Sequence, residues 1–106
     1  VVTNCSERLG ERAAARVSTC FDVVVTAERA GYYKPSPQIY GIALEELGVA
    51  AERVLYVAGS PFDVCGAHAL GMPVFWHNRI GLPHGEAEAI ALDVCADLHG
   101  LPELIS

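Results

Sequence analysis

An apolar run, Val54-Leu55-Tyr56-Val57-Ala58, stops at Gly59, and Ser60-Pro61-Phe62-Asp63 opens the segment that follows. A hydroxyl and a carboxylate three residues apart at a helix start sit beside exposed backbone N–H groups. That combination can meet an anion or orient a water molecule. The same S-x-x-D spacing is that of a capping box, in which Ser60 caps the helix and Asp63 complements its dipole. The two uses are compatible, since a cap can also line a site. Upstream, Lys34 follows two tyrosines and precedes Pro35-Ser36-Pro37. It is either a solvated loop lysine, the usual fate of a lone Lys, or a cation that neutralises carboxylates at strand ends. Thr3, Asn4 and Ser6 are ordinary turn and cap types, and equally hydrogen-bonding groups at the end of a first strand. Tyr40 falls on the first turn of a helix, where core packing is its default role.

The elements that must position these residues alternate. Val1–Thr3 reads as the end of a short buried strand. Ser6 caps a predicted helix over Glu7–Val17, with Ala13, Ala14 and Val17 on its apolar face. Phe21–Thr26 is compact and β-branched, hence a second strand, and Ala27–Tyr33 reads as a loop with a turn at Gly31. Ser36 as N-cap and Pro37 at the first helical position open the clearest helix, which carries Ile39, Ile42, Ala43 and Leu47 at helical spacing and stops at Gly48. Arg53–Ala58 is a third strand. A helix opened by Ser60 and Pro61 runs to about Leu70 and ends at Gly71. Pro73–His77 is a fourth strand. A Gly- and His-containing loop over Asn78–Gly85, a short strand near Ile90–Leu92 and a helix around Ala96–Ile105, broken near Gly100 and Pro102, complete the chain. Strands alternating with helices predict an α/β fold with a Rossmann-like, doubly wound parallel sheet and helices on both faces. Strands such as Val23-Val24-Val25 suit burial on both sides.

Composition removes several classes of function. The chain has 106 residues, one domain or part of one, and 52% hydrophobic residues, enough for a core. The net charge of -6, with no basic stripe, argues against nucleic acid as a partner. No apolar run reaches membrane-spanning length and no signal peptide is visible, so no membrane partner is expected. Cys5, Cys20, Cys65 and Cys95 form no C-x-x-C pair, which predicts free thiols in a reducing, cytoplasmic compartment. His68, His77, His84 and His99 show no ligand spacing, so no metal site is expected from them. Ser60 lacks a G-x-S-x-G elbow, which argues against a serine hydrolase. The chain opens on Val1 within a strand-like segment and without Met, as a fragment or processed product would.

Four segments, in order, resemble the motifs of the haloacid dehalogenase superfamily of hydrolases. Val2-Thr3-Asn4 resembles the second family motif. Lys34-Pro35-Ser36-Pro37-Gln38-Ile39-Tyr40 is similar to the third. Val57 to Asp63 resembles the fourth, and Trp76-His77-Asn78-Arg79 is similar to a W-x-N-R ending common among the dehalogenases. The resemblance runs from Val1 to about Arg79 and is nearest to the metal-independent L-2-haloacid dehalogenase branch. It implies an aspartate nucleophile that forms a covalent ester, later opened by water. It further implies that Thr3 and Asn4 help hold the substrate carboxylate or leaving group and that Tyr40 lines the pocket. Lys34 would hold the nucleophile ionised by opposite charge. Ser60 and Asp63 would position the nucleophile, the lysine or the hydrolytic water. The implied substrate is a small carboxylate.

The chain departs from that pattern twice. Phosphatase members of the superfamily carry an Asp after the third strand to bind magnesium, and here the position is Gly59. A hard cation wants clustered carboxylates, so Gly59 disfavours a magnesium cofactor and favours the dehalogenase branch. The second departure is the nucleophile, which the family places in a D-x-x-x-T pattern on a central strand. Asp22 and Thr26 have that separation, but Asp22 enters its strand rather than leaving it, at the wrong end of the sheet. The helical cap that closes the family's pocket is also missing. With the central strand absent, its two neighbours pair directly, in the spatial order second-first-third-fourth, or accept a strand from another chain, or the chain is only partly ordered alone; the first two are favoured. Either arrangement allows a homodimer through an open sheet edge. Three functions follow as candidates: a 2-haloacid dehalogenase core inactive without its nucleophile, a phosphatase of the same superfamily, and a non-catalytic binding domain in which Lys34, Ser60 and Asp63 only serve the fold.

Overall fold

The computed structural model describes residues 1–83 and 85–105. His84, in the predicted Gly/His loop, therefore lies outside the described residues. The fold is α/β with parallel strand pairing throughout. The chain divides into two compact units, Val1–Val49 and the residues from Ala50 onward, each with its own sheet. The direct pairing of the two neighbours of the absent strand, one of the arrangements expected, is not formed, and the strands lie in two sheets, β1-β2 and β3-β4-β5.

In the first unit, β1 (Val2–Thr3) pairs with β2 (Val25–Thr26), Val2 opposite Val25 and Thr3 opposite Thr26. The ordered ladder is shorter than the strand predicted over Phe21–Thr26, in which Phe21 stays exposed. The crossover helix α1 (Glu7–Ala15) starts where predicted, with Ser6 Oγ accepting from Leu9 N at 3.2 Å. The segment read as a loop contains a one-turn helix, α2 (Ala27–Ala30). Four residues are too few to show a period. Its ends are set instead by Thr26 Oγ1, which accepts from Arg29 N at 3.1 Å, and by Gly31 at φ 79°. Helix α3 (Pro37–Leu47) has Pro37 at its start and left-handed Gly48 at its end, as read. Ser36 differs: its side chain makes no cap bond, and its hydroxyl donates to Gln38 Oε1.

A polar network ties these pieces together. Thr26 Oγ1 donates to Glu7 Oε1 at 2.7 Å, and Glu28 Oε2 accepts from Glu7 N at 2.6 Å. The Arg29 guanidinium donates to Val24 O at 2.7 Å and to both Glu46 carboxylate oxygens at 2.9 Å. The same contact region is sterically tight. A Cβ added to buried Gly10 of α1 would stand 2.5 Å from Thr26 Cγ2 and 3.4 Å from Thr3 Cγ2.

The second unit begins with a 3-10 turn at Ala51–Arg53. It continues through β3 (Tyr56–Ala58), α4 (Pro61–Ala69), β4 (Val74–His77), α5 (Gly85–Ile90), β5 (Asp93–Cys95) and α6 (Leu101–Ile105). Central β4 buries Val74, Phe75 and Trp76, and therefore both of its faces. Helix α4 packs on β3 and β4 and against α5. Edge strand β3 leaves Val57 44% exposed, against the expectation that such strands are covered on both sides. The last third departs most from the sequence reading. The strand sits at Asp93–Cys95 rather than Ile90–Leu92, helix α5 fills the interval between the predicted loop and strand and takes Gly85 from one and Ile90 from the other, and α6 is the part of the last predicted helix that follows the break at Gly100. No helix among the described residues is long and apolar enough to cross a membrane.

All four cysteines are free, and Cys20 is exposed. The Cys95 thiol is pushed above its ordinary value, first by partial burial, then by its hydrogen bond to Asp93 and the charges of Asp93 and Asp97. A raised pKa keeps the unreactive thiol form to higher pH. Alkylation followed by mass spectrometry should therefore label Cys20 first at pH 8. Cys95 should lag, with a rate still climbing above about pH 8.5, the ordinary thiol midpoint. Asp93→Asn should speed Cys95 labelling at pH 8.

Two glycines should respond to alanine with opposite signs. Thr26 is fully buried and held by bonds at its hydroxyl, so it cannot swing away from a new methyl group at Gly10. Gly10→Ala should destabilise the chain by about 1–3 kcal/mol, the usual range for overpacking. At Gly41, within α3, an added Cβ meets nothing within 4 Å. Gly41→Ala should stabilise by roughly 0.5–1 kcal/mol through helix propensity alone. Urea unfolding of both variants measures the pair of signs.

Candidate active site

The candidate residues of the first unit gather around the end of β1. Thr3 is its last residue, and its hydroxyl donates to Cys5 Sγ at 3.2 Å. Asn4 follows immediately and reaches thirty positions along the chain. Its Oδ1 accepts from Lys34 N at 2.7 Å, and its Nδ2 donates to Lys34 O at 3.3 Å. The second and third motifs are thus joined directly. Lys34 is half-buried, in a turn closed by Ser36 N donating to Tyr33 O at 2.9 Å, just ahead of α3. Tyr40, one turn into α3, is fully buried.

The candidate residues of the second unit lie where β3 hands over to α4. Ser60 takes an extended backbone, and its Oγ accepts from Asp63 N at 3.3 Å, which is the first half of the capping box. Pro61 occupies the first helical position, where no N–H is needed. Asp63 is only 8% exposed, and its Oδ1 accepts from the Tyr56 hydroxyl at 3.2 Å. The α4 dipole adds a further favourable field for the carboxylate. Ser60 and Asp63 are brought together as the spacing predicts, whereas Lys34 belongs to the other unit.

Two residues beside this pair escaped the sequence reading. Tyr56 reads as an ordinary strand residue, yet its hydroxyl donates to Asp63. The available signal was a polar-tipped ring in an otherwise apolar run. Phe62 holds a 72% exposed ring between the two polar residues, against the rule that an aromatic in an α/β segment packs inward. Asn78, from the W-x-N-R segment, is buried and closes the loop after β4. Its Nδ2 donates to Leu82 O at 3.0 Å, and its Oδ1 accepts from Leu82 N at 2.8 Å. Asp22 lies ahead of β2, at its amino end, which is the wrong end for a nucleophile.

The turn after β3 holds Gly59 where an acidic side chain would be needed to bind a divalent cation. At Gly59 an added Cβ meets nothing within 4 Å, so a side chain would fit, but the residue present offers no ligand. Among the described residues no group of three or more His, Cys, Asp or Glu side chains gathers to hold a metal ion.

Residues 1–77 match the family model described as haloacid dehalogenase-like hydrolase. Haloacetate dehalogenase H-2 of Moraxella sp. strain B is 38% identical over 66 residues, covering 62% of this chain and 30% of that protein. A solved L-2-haloacid dehalogenase aligns with a TM-score of 0.84 at 29% identity, covering 96% of this chain and 46% of that one. A phosphatase of the same superfamily from Thermococcus onnurineus aligns at 0.73 with 32% identity, covering 81% and 39%. The chain spans less than half the length of each. The matched stretch contains Thr3, Asn4, Lys34, Tyr40, Ser60 and Asp63. With the four motifs in order inside it, the chain belongs to the haloacid dehalogenase-like hydrolases, and its relatives place it on the 2-haloacid dehalogenase branch.

Proposed function

We propose that this chain supplies the lysine and the hydroxyl–acid pair of a hydrolase that displaces halide from a short 2-haloalkanoate, giving the 2-hydroxy acid. The observation that carries the reading is Asp63: a carboxylate 8% exposed, bonded to Tyr56, at the carboxyl end of a parallel strand. Open α/β sheets bind ligands at that end, and a cap needs no such burial.

In the proposed reaction, a carboxylate oxygen from outside these residues attacks C2 of the substrate. The carbon–halogen bond breaks and halide leaves with its electron pair. Water then adds to the ester carbonyl, the alcohol departs, and the carboxylate returns with loss of one proton. Lys34 keeps the attacking group charged and balances the negative charge of a carboxylate substrate. Thr3 and Asn4 serve the substrate end, Tyr40 its apolar body, and Ser60 with Asp63 the water or the nucleophile. Phe62 offers an apolar wall beside that pair.

The phosphatase reading is favoured by one observation, the structural likeness to the Thermococcus onnurineus phosphatase, and opposed by Gly59. Magnesium-dependent turnover of a generic phosphate ester by the complete protein, with no halide release, would select it.

The isolated 106-residue chain should release halide from 2-chloropropionate no faster than buffer. In the complete protein, Lys34→Ala should lower kcat/KM by roughly 10²–10³, the range for loss of one preorganised electrostatic group. Ser60→Ala should cost about 1 kcal/mol as a lost cap whatever the function. A matching fall in halide release at a temperature where the variant stays folded separates the catalytic role from the structural one. Full activity in Lys34→Ala would instead favour the non-catalytic domain.

A further inference from the structure

We infer that Tyr56 is a positioning residue for the proposed reaction: its hydroxyl holds the Asp63 carboxylate in the orientation the reaction uses, without touching the substrate. The inference rests on the role proposed for Asp63. It adds a residue that lies one position ahead of the Val57–Asp63 motif.

The contact joins two elements whose main chains are fixed separately. Tyr56 pairs with Val74 in the ladder, and its N–H donates to Pro73 O at 2.9 Å, so the sheet carries the tyrosine. Asp63 N donates to Ser60 Oγ at 3.3 Å in the first turn of α4, so the helix carries the aspartate. Neither arrangement fixes the rotation of the carboxylate about its own side-chain bonds. The Tyr56 hydroxyl does so by donating to Asp63 Oδ1 at 3.2 Å. Ser60 thus sets the main chain of Asp63, and Tyr56 sets its charged end. Burial of Asp63 thins the water that would otherwise compete for the same oxygen.

Strand alternation explains why the donor is a tyrosine at this position. Tyr56 and Ala58 share the covered face of β3, and Val57 between them is exposed on the other. Buried Ala58 is nearer to α4 but ends in a methyl group and offers no hydrogen bond. A donor from this face therefore has to start one step further back and be long. Phenylalanine would serve the apolar run equally well, and the hydroxyl is the part that the run does not need. At 3.2 Å the bond is longer than the roughly 2.5–2.7 Å usual between a hydroxyl and a carboxylate. Its effect is accordingly placed at the low end for a hydrogen bond to a charged group. A carboxylate turned out of line leaves substrate binding intact and slows the step that it directs.

Tyr56→Phe keeps the ring and removes the donor. In the complete protein it should lower kcat for halide release from 2-chloropropionate about tenfold, with KM unchanged. A rise in KM at unchanged kcat would show contact with substrate and overturn the inference. Asp63→Asn, assayed beside it, separates the two levels of the argument. Loss of activity in Asp63→Asn with full activity in Tyr56→Phe overturns the inference and leaves the proposed function standing. Full activity in both removes Asp63 from the reaction, and the inference falls with that reading. The contact itself is tested by urea unfolding of Tyr56→Phe, Asp63→Ala and the double variant. Tyr56→Phe should cost less stability in the Asp63→Ala background than in the unaltered one, and equal losses in both would overturn the inference. The kinetic comparison decides the question even where Asp63→Ala does not fold.

Discussion

The loops at the carboxyl ends of parallel strands have no hairpin to satisfy their backbone, and every buried or half-buried N–H and C=O there must find another partner. Two asparagines meet that demand. Asn4 after β1 and Asn78 after β4 each offer a side-chain amide to both backbone groups of one loop residue. The amide ties the strand end to the loop backbone at one residue, Lys34 in the first case and Leu82 in the second. In the first unit the loop so fixed carries Lys34. The placement of a charged side chain thereby follows from an ordinary rule of backbone satisfaction.

The end of β1 can bear that function because the elements behind it are close and bonded. Gly10 lets α1 approach Thr26 to within a methyl group's reach. Thr26 uses one hydroxyl twice, donating to Glu7 and accepting from Arg29 N. Surface ion pairs contribute little by themselves, with a median of about 0–1 kcal/mol. Arg29 gains weight from its additional bond to Val24 O, which joins the strand to α2 and α3 through one side chain. The result fixes β2, α1 and α3 around a two-residue ladder that would be marginal alone.

The sequence made visible those elements whose ends are set by local chemistry. Pro37 with Gly48, and Ser60–Pro61 with Gly71, bound α3 and α4 closely, because proline fixes an entry and a left-handed glycine an exit. The family motifs placed all six candidate residues within the matched region. What stayed hidden is set by distant partners or by short length. Helix α2 depends on Thr26 and Gly31 and offers no period. Strand β5 is selected by pairing with β4, and nothing local favours Asp93–Cys95 over the more apolar Ile90–Leu92. Ser36 has the right type for a cap and spends its hydroxyl on Gln38 instead. The grip of Asn4 on Lys34 spans thirty positions, and the Tyr56–Asp63 bond links a strand residue to a helix residue. No spacing rule reports either.

The pair Ser60 and Asp63 shows how a structural device and a chemical one coincide. The cap explains the Ser60 hydroxyl, which accepts one of the helix's first N–H groups. It does not explain why the Asp63 carboxylate is nearly buried, since an acid in a first turn already gains from the dipole while fully solvated. Burying a charge is costly unless hydrogen bonds replace its water, and Tyr56 supplies one from the adjoining strand. A carboxylate kept dry and oriented in this way is worth its cost where charge must be placed for a reaction. Gly59, in the turn ahead of the helix, has room for a side chain and adds no second carboxylate.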